Sequence, residues 1–279
     1  MMRRLLVIAG TPSHPPGAHE YRAGLLLLQR CLQDVPELTI DLHTGGWVAD
    51  ERAFDGVDAV AIFADGSSGH PILVDGRLAT LARLLSRGVG LGLIHWAVEL
   101  PAGQATAQVD AWTGGHYEDL VSCNPIWTAR FDRLPDHPIT RGVQPFESND
   151  EWYFNIRFAD GFRADKASVN AGTRFTPILV ASPSDAVRGG PYVWPHGPYP
   201  HIVAESGRHE ALMWAVERPD GGRGFGFSGG HYHANWGNDA FRTTVLNALV
   251  WIAGAEVPPE GVASTLTEDD LMRDLDDKS

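Results

Sequence analysis

The chain has 279 residues, of which 43% are hydrophobic and 20% are charged, a balance that suits one α/β domain with a sizeable core. Its net charge of -13 argues against binding to nucleic acid or to an anionic membrane surface, because both need a basic footprint. The two cysteines, Cys31 and Cys123, form neither a CxxC pair nor a disulfide framework. The apolar run Leu5–Ala9 is too short for a signal peptide, and no stretch has the length of a membrane span. We therefore expect a soluble, cytoplasmic protein.

The first hundred residues alternate short apolar runs with amphipathic stretches. We predict strands over residues 4–9, 38–42, 58–64 and 88–94, and helices over residues 20–33 and 76–86. Leu25, Leu28 and Leu32 fall on one face of the first helix. The order β-α-β-β-α-β with buried strands is typical of a doubly wound parallel sheet.

The middle of the chain, about residues 100–210, is a loop-rich insertion with three predicted strands over residues 126–131, 176–181 and 212–217. Residues 187–201 carry four prolines and are predicted to be a loop. A last strand over residues 224–228 and a helix over residues 239–253 complete one domain, residues 1–257. Residues 258–279 form an acidic tail with six acids between Glu268 and Asp277, predicted as a loose helix or as disorder.

Histidines follow several of the predicted strands. His14 and His19 follow the first strand, His95 follows the fourth, and His231 and His233 follow the last. Ligands bind beyond the carboxyl ends of parallel strands, so these loops are expected to meet at one edge. His95 stands where an apolar residue would cost less, which favours a functional role over a hydrogen-bonded core imidazole. His19 can alternatively be read as the start of the first helix.

Carboxylates at two places in the chain accompany these histidines. Glu99 lies one helical turn beyond His95, and Asp150-Glu151 precedes the aromatic run Trp152-Tyr153-Phe154. Solvated loop charges are the alternative interpretation of the acidic pair. The role of His116 stays open, and surface or hydrogen-bonding roles are expected for His43, His137, His196, His201 and His209.

The order of several short motifs resembles the trehalose-utilisation (ThuA-like) family. The motifs are Ser13-His14, Gly17-x-His19-Glu20, Ile94-His95, His137-Pro138-Ile139-Thr140-Arg141-Gly142, Asp150-Glu151-x-Tyr153, Gly222-x-Gly224-x-Gly226, Gly230-His231, Trp236 and Asn247-Ala248-x-x-Trp251. The resemblance runs from the first strand to about Gly254. It implies a three-layer, flavodoxin-like sandwich similar to class I glutamine amidotransferases, with a mostly parallel central sheet.

The resemblance also bears on the chemistry. Amidotransferases carry a nucleophilic cysteine at a strand-to-helix elbow, where this chain has His95, and a Gly-x-Ser-x-Gly serine elbow is absent. Thiol chemistry is therefore not expected. The family is associated with disaccharide catabolism, which implies a lyase or hydrolase that acts on a carbohydrate such as a 3-keto-glycoside. A C3 ketone acidifies the C2 proton and permits elimination of the glycosidic oxygen.

We assign candidate roles on this basis. His95 and His231 are candidate base and acid, with Glu151 orienting one of them, and His19, His95 and His231 are candidate ligands of a divalent metal such as zinc. Trp152 is a further aromatic candidate for stacking on a sugar. The candidate substrate-binding residues are His14, His19, Glu20, Trp96, Glu99, Tyr232, His233 and Trp236.

Other functional classes stay open. No nucleotide-cofactor motif is present, and the oligomeric state is undetermined. A non-catalytic sugar-binding or regulatory module on an amidotransferase-like scaffold is the main alternative. An orphan amidotransferase, which would need a reactive cysteine, is a third.

Overall fold

A computed structural model describes residues 1–278 of the chain. The strands are β1 (Arg3–Ala9), β2 (Leu38–His43), β3 (Ala59–Phe63), β4 (Gly90–Ile94), β5 (Gly115–His116), β6 (Ile126–Phe131), β7 (Phe146–Glu151), β8 (Arg157–Phe158), β9 (Ser168–Asn170), β10 (Thr173–Ala181), β11 (Glu210–Glu217) and β12 (Arg223–Phe227). The helices are α1 (Tyr21–Leu32), α2 (Arg77–Leu85), α3 (Thr106–Thr113), α4 (Asp185–Arg188), α5 (Pro200–Val203), α6 (Asp239–Ile252) and α7 (Glu268–Met272). No helix in residues 1–278 is long and apolar enough to cross a membrane.

A central sheet of eight strands runs in the order β2-β1-β3-β4-β12-β11-β10-β9. The pairs from β2 to β12 are all parallel, and the pairs from β12 to β9 are antiparallel. The carboxyl ends of β1, β3, β4 and β12 therefore lie along one edge. The predicted α/β fold with a mostly parallel central sheet is confirmed.

The strands are apolar on both faces because each face is covered. Leu5 and Val7 of β1 belong to one core, whereas Leu6 and Ile8 belong to the other. The first core contains the apolar faces of α1 and α6, and the second contains those of α2 and α3. The molecule is thus a three-layer sandwich.

The insertion is more regular than the sequence predicts. Helix α3 and strand β7, which were both expected to be loop, lie within it, and β7 pairs with β6 in a separate antiparallel hairpin. Asp150 and Glu151 at the end of β7 are buried, so the interpretation of this pair as solvated loop charges is wrong. The proline-rich segment 187–201 is mostly irregular, and short helices α4 and α5 overlap its two ends.

The acidic tail packs against α1. Helix α7 starts with a capping box between Thr267 and Asp270. Beyond this helix, the Asp274 carboxylate forms an ion pair with Arg30 of α1, with 2.8 Å between Oδ2 and Nη1. The Asp276 backbone N–H donates a hydrogen bond to the Glu20 carboxylate. The tail is therefore placed by charged contacts that an acidic composition alone does not predict.

Candidate metal centre and adjoining cavity

His95 occupies a strained turn directly after β4. Its backbone has a φ of 54°, in the left-handed region that non-glycine residues seldom adopt. The side chain is fully buried, and Nδ1 lies 2.8 Å from the carbonyl oxygen of Ser228, beyond β12. A carbonyl only accepts hydrogen bonds, so Nδ1 carries the proton and Nε2 presents a lone pair to the site interior.

His19 precedes α1 with the same kind of backbone, at a φ of 50°. Its Nδ1 lies 2.6 Å from the Tyr21 hydroxyl, which donates to Asp65 Oδ1 at 2.7 Å. Because that hydroxyl proton is committed to a carboxylate, His19 Nδ1 is the donor in the first contact. His19 Nε2 is therefore a second inward-facing lone pair. Burial lowers the pKa of His19, and the neighbouring His95 lowers it further.

His231 and Glu151 complete the cluster from the loop after β12 and from the end of β7. His231 Nδ1 lies 2.6 Å from Glu151 Oε2 and 2.9 Å from His19 Nε2. His95 Nε2 lies 3.1 Å from His19 Nε2 and 3.6 Å from Glu151 Oε2. Burial raises the pKa of Glu151, but its hydrogen bond with His231 and its contact with His95 outweigh burial and leave the pKa below the usual value.

One atom from each of these four residues lies within 4.8 Å of every other. With these tautomers, the lone pairs of His19 Nε2 and His95 Nε2 face each other 3.1 Å apart, an arrangement that a cation bound beside both nitrogens would stabilise. Imidazole nitrogens joined by one carboxylate suit zinc and other first-row transition metals better than magnesium or calcium. The outer contacts of His19 and His95 fix their tautomers, as second-sphere partners do in metal sites. The residues therefore fit a divalent transition metal.

The loop that carries His231 is held by a buried carboxylate. Asp150 accepts hydrogen bonds from the backbone N–H groups of Gly230 at 2.8 Å and His231 at 3.1 Å, and from the Asn235 side chain at 3.0 Å. Gly230 has a φ of 108°, a left-handed backbone conformation that favours glycine at this position.

A cavity of about 410 Å³ adjoins the cluster. His19 and Tyr153 form part of its wall, and the Tyr153 hydroxyl lies 3.3 Å from His95 Nε2. Asp65, Glu99 and Asp119 also line it. Burial, reinforced by Asp119, raises the pKa of Glu99 to about 8. This volume falls within the range of small-molecule sites.

Several predicted substrate-binding residues lie around this cavity. His14 stacks on His19 with a ring distance of 3.6 Å, and His14, Trp96 and Glu99 all line the cavity. The Trp96 indole N–H donates to Glu99 at 2.7 Å. Tyr232 packs edge-on against His231 at 4.6 Å.

Other predicted contact residues face elsewhere. Glu20 is buried against Lys278 of the tail at 3.1 Å, and His233 bonds the Leu271 carbonyl of the tail. Trp152 and Trp236 are fully buried in the core. His116, whose role the sequence left open, is buried and pairs with Asp110 at 2.7 Å. These positions are more consistent with structural roles.

Sequence reasoning missed the outer partners of the cluster. Asp65 follows the third predicted strand, so the rule that placed the histidines would have found it. Tyr21 and Asn124 carry no such signal, because only the tertiary fold brings them to the site. Cys31 and Cys123 lie outside the cluster, and burial raises the pKa of both thiols.

Comparisons with known proteins agree with this architecture. The chain resembles a putative ThuA-like protein from Bacteroides uniformis, with a TM-score of 0.61 and 12% identity over 90% of this chain and 91% of that one. A putative ThuA-like protein from Parabacteroides merdae gives a TM-score of 0.59 and 15% identity over 96% and 94%. At this identity the likeness shows the fold alone. None of the curated proteins matches the sequence.

A family model described as trehalose utilisation matches residues 48–252. The matched range includes His95, Glu151 and His231, whereas His19 precedes it. The match spans more than half of the chain, so this protein belongs to the ThuA, or trehalose utilisation, family.

Proposed function

We propose that this protein is a metal-dependent enzyme of carbohydrate catabolism, a lyase or hydrolase that acts on keto-sugars such as 3-keto-glycosides. Family membership supports the carbohydrate substrate. The convergence of three imidazole nitrogens and the Glu151 carboxylate beside a cavity supports the metal.

The close approach of His19 Nε2 and His95 Nε2, which lie 3.1 Å apart, supports the metal most directly. His95 has Nδ1 tied to a backbone carbonyl and Nε2 enclosed by the cluster. Neither nitrogen is free to reach a substrate, which favours a ligand role for His95 over the acid–base role first considered. His19, His95, His231 and Glu151 would hold the ion. A divalent ion supplies Lewis-acid stabilisation for an oxygen that gains negative charge.

The chain's own groups supply the proton transfers in this proposal. In the elimination route, His14 takes the C2 proton of the keto-sugar, the C1–O bond breaks, and a C1–C2 double bond forms. The leaving oxygen takes its proton from Glu99. With a pKa of about 8, Glu99 is mostly protonated at neutral pH, as a general acid must be. Besides Asp119, the titratable groups that act on Glu99 are Glu151 and Tyr117.

The test is turnover of a 3-keto-glycoside by purified, metal-stripped and metal-restored protein. We expect activity to vanish on stripping, to return with one divalent equivalent, and to be lost in His95→Ala and Glu151→Gln. His209→Ala, a change at an exposed histidine, is the matched control and should keep full activity. We further expect kcat to fall as pH rises through about 8, because Glu99 then loses its proton. The Glu99→Gln variant should not show this decrease in kcat.

A metal-free wild type that binds sugar saturably without forming product would instead establish the non-catalytic sugar-binding module. Full activity in the stripped protein would overturn the metal role.

A further inference from the structure

Trp194 stands at the wall of the cavity with an exposed indole. Its side chain is 64% exposed, yet it lines the same cavity as His19, Trp96 and Tyr153. An indole face beside polar groups is the usual platform for the apolar face of a sugar ring, as aromatic rings at binding sites combine broad contact with low entropy cost.

The backbone around Trp194 is fixed by hydrogen bonds, and its ring packs edge-on against His196 with a centroid distance of 5.4 Å. The Trp194 N–H donates to the Asn124 side-chain oxygen at 3.1 Å, and the Val193 N–H donates to the Asn124 carbonyl at 3.2 Å. The preceding Tyr192 is buried, and its N–H donates to the His196 carbonyl at 2.9 Å. The platform is therefore pre-positioned before any ligand arrives, which lowers the entropy cost of binding.

Asn124 also touches the metal cluster. Its side-chain N–H donates to Glu151 Oε1 at 2.8 Å, in a buried contact. Glu151 Oε2 is the oxygen that faces His231. One amide thus connects the loop that carries the indole to a ligand carboxylate, with its oxygen on one side and its nitrogen on the other.

The polar wall of the cavity is acidic. Asp65, Glu99 and Asp119 line it, and no lysine or arginine does so among the described residues. The carboxylates of Asp65 and Asp119 accept hydrogen bonds from hydroxyl groups but repel phosphate and carboxylate groups, whereas the protonated carboxyl of Glu99 is uncharged and can donate a hydrogen bond. The wall therefore suits a neutral polyol and disfavours an anionic sugar.

We propose that the cavity binds a neutral, unphosphorylated sugar whose ring stacks on Trp194 and whose hydroxyl groups bind Asp65, Glu99 and Asp119, with Asn124 as the positioning residue that links this subsite to Glu151. This inference rests on the proposed function for the sugar class, and it adds the subsite, the platform and the charge selection.

Calorimetric binding to the metal-loaded wild type tests the proposal, with trehalose, methyl glucoside, their 3-keto derivatives and trehalose 6-phosphate as probes. We expect at least one neutral sugar to bind, and the phosphorylated sugar to bind at least tenfold more weakly. Trp194→Ala should weaken neutral-sugar binding about tenfold, the fold-change that about 1.4 kcal/mol of stacking represents, and Trp194→Phe should restore part of it. Val169→Ala, at an exposed site on β9, is the control and should change nothing.

Measurements of zinc affinity distinguish the role of Trp194 in stacking from the role of Asn124 in linking the subsite to Glu151. Trp194→Ala should leave zinc affinity unchanged, whereas Asn124→Ala should lower both zinc and sugar affinity. Three results would each overturn this inference, even if turnover depends on metal. They are equal sugar binding by Trp194→Ala and wild type, tighter binding of trehalose 6-phosphate than of the neutral sugars, and binding of none of the neutral probes. Trp194-dependent binding without turnover would support the subsite and refute the proposed reaction.

Discussion

His19 and His95, whose tautomers are fixed by hydrogen bonds at Nδ1, both have a strained backbone. His19 and His95 have φ angles of 50° and 54°, and each uses Nδ1 to reach an outer partner, the Tyr21 hydroxyl and the Ser228 carbonyl respectively. Strain of this kind costs of order 1–3 kcal/mol per residue and persists only where the surroundings impose it. Here it aims two Nε2 atoms at one point.

The Tyr21 hydroxyl accepts the hydrogen bond that orients His19. Tyr21→Phe removes the hydroxyl that orients His19, so we expect zinc affinity to fall 10–100-fold while the fold is retained. Competition against a chromophoric chelator measures the change. Tyr192→Phe removes another buried hydroxyl, one that bonds the Arg188 carbonyl, and is the matched control. Equal loss of affinity in both variants would remove Tyr21 from the site's outer shell.

At the scale of elements, the loop after β12 depends on Asp150. This carboxylate is fully buried and bonds the N–H groups of Gly230 and His231. Asp150→Asn turns one acceptor into a donor against those groups. We expect unfolding free energy to fall by about 3 kcal/mol and zinc affinity to fall with it, measured by urea unfolding and chelator competition. Asp132→Asn, a change at an exposed residue, is the control and should leave unfolding free energy and zinc affinity near wild type. Wild-type stability and zinc affinity in Asp150→Asn would show that Asp150 does not hold this loop.

Two short turns with the sequence His-Pro-Ile have the same construction. His70 and His137 each accept a hydrogen bond through Nδ1 from the N–H two residues later, at 3.2 Å in both turns. His70 Nε2 also donates to the carbonyl of Ala97, within the turn that follows His95. The first of these turns therefore supports the elbow of the site from behind.

This support makes stability depend on pH. Burial lowers the pKa of His70 to about 4 from 6.5, so the unfolded chain takes up its proton first as pH falls. Stability from this group is complete above pH 6.5 and is lost on acidification through pH 4, by about 3 kcal/mol in total. We expect His70→Asn, which keeps an acceptor for Ile72 but cannot titrate, to unfold with a shallower pH dependence in urea between pH 6.5 and 4. An unchanged slope would show that His70 is not responsible.

At the scale of the whole molecule, the tail connects to the start of the site. The Lys278 ammonium is buried, lies 3.1 Å from Glu20 Oε1 and 3.3 Å from the His19 carbonyl, and also contacts the Ala18 carbonyl. These groups belong to the segment that sets the backbone of His19. The tail thus holds a ligand that lies more than 250 residues away in sequence.

Lys278→Met tests this connection. It leaves the Glu20 carboxylate buried without its cation, so we expect a loss of about 3 kcal/mol in stability and a several-fold loss of zinc affinity. Lys166→Met, at the chain's other lysine, which is exposed, is the control. Zinc affinity equal to wild type in Lys278→Met would mean that the tail does not position His19.

Sequence reasoning reached the fold and the meeting of His19, His95 and His231 because strand periodicity and parallel topology fix where loops emerge. It could not predict the hydrogen bond between Tyr21 and Asp65, the hydrogen bonds of Asp150 to the loop after β12, or the contacts of Lys278. Those contacts depend on side-chain directions in packed tertiary structure, and neither hydrophobic period nor loop order encodes them. It also misjudged β7, because a strand that buries two adjacent acids does not show the usual alternation.

Anomalous X-ray diffraction at the zinc edge, from crystals of the zinc-loaded protein, tests directly whether the cluster binds a metal. We predict one strong peak about 2.0–2.2 Å from His19 Nε2, His95 Nε2, His231 Nδ1 and Glu151 Oε2. Absence of a peak there at saturating zinc, with the four side chains bonded only to one another, would contradict the account.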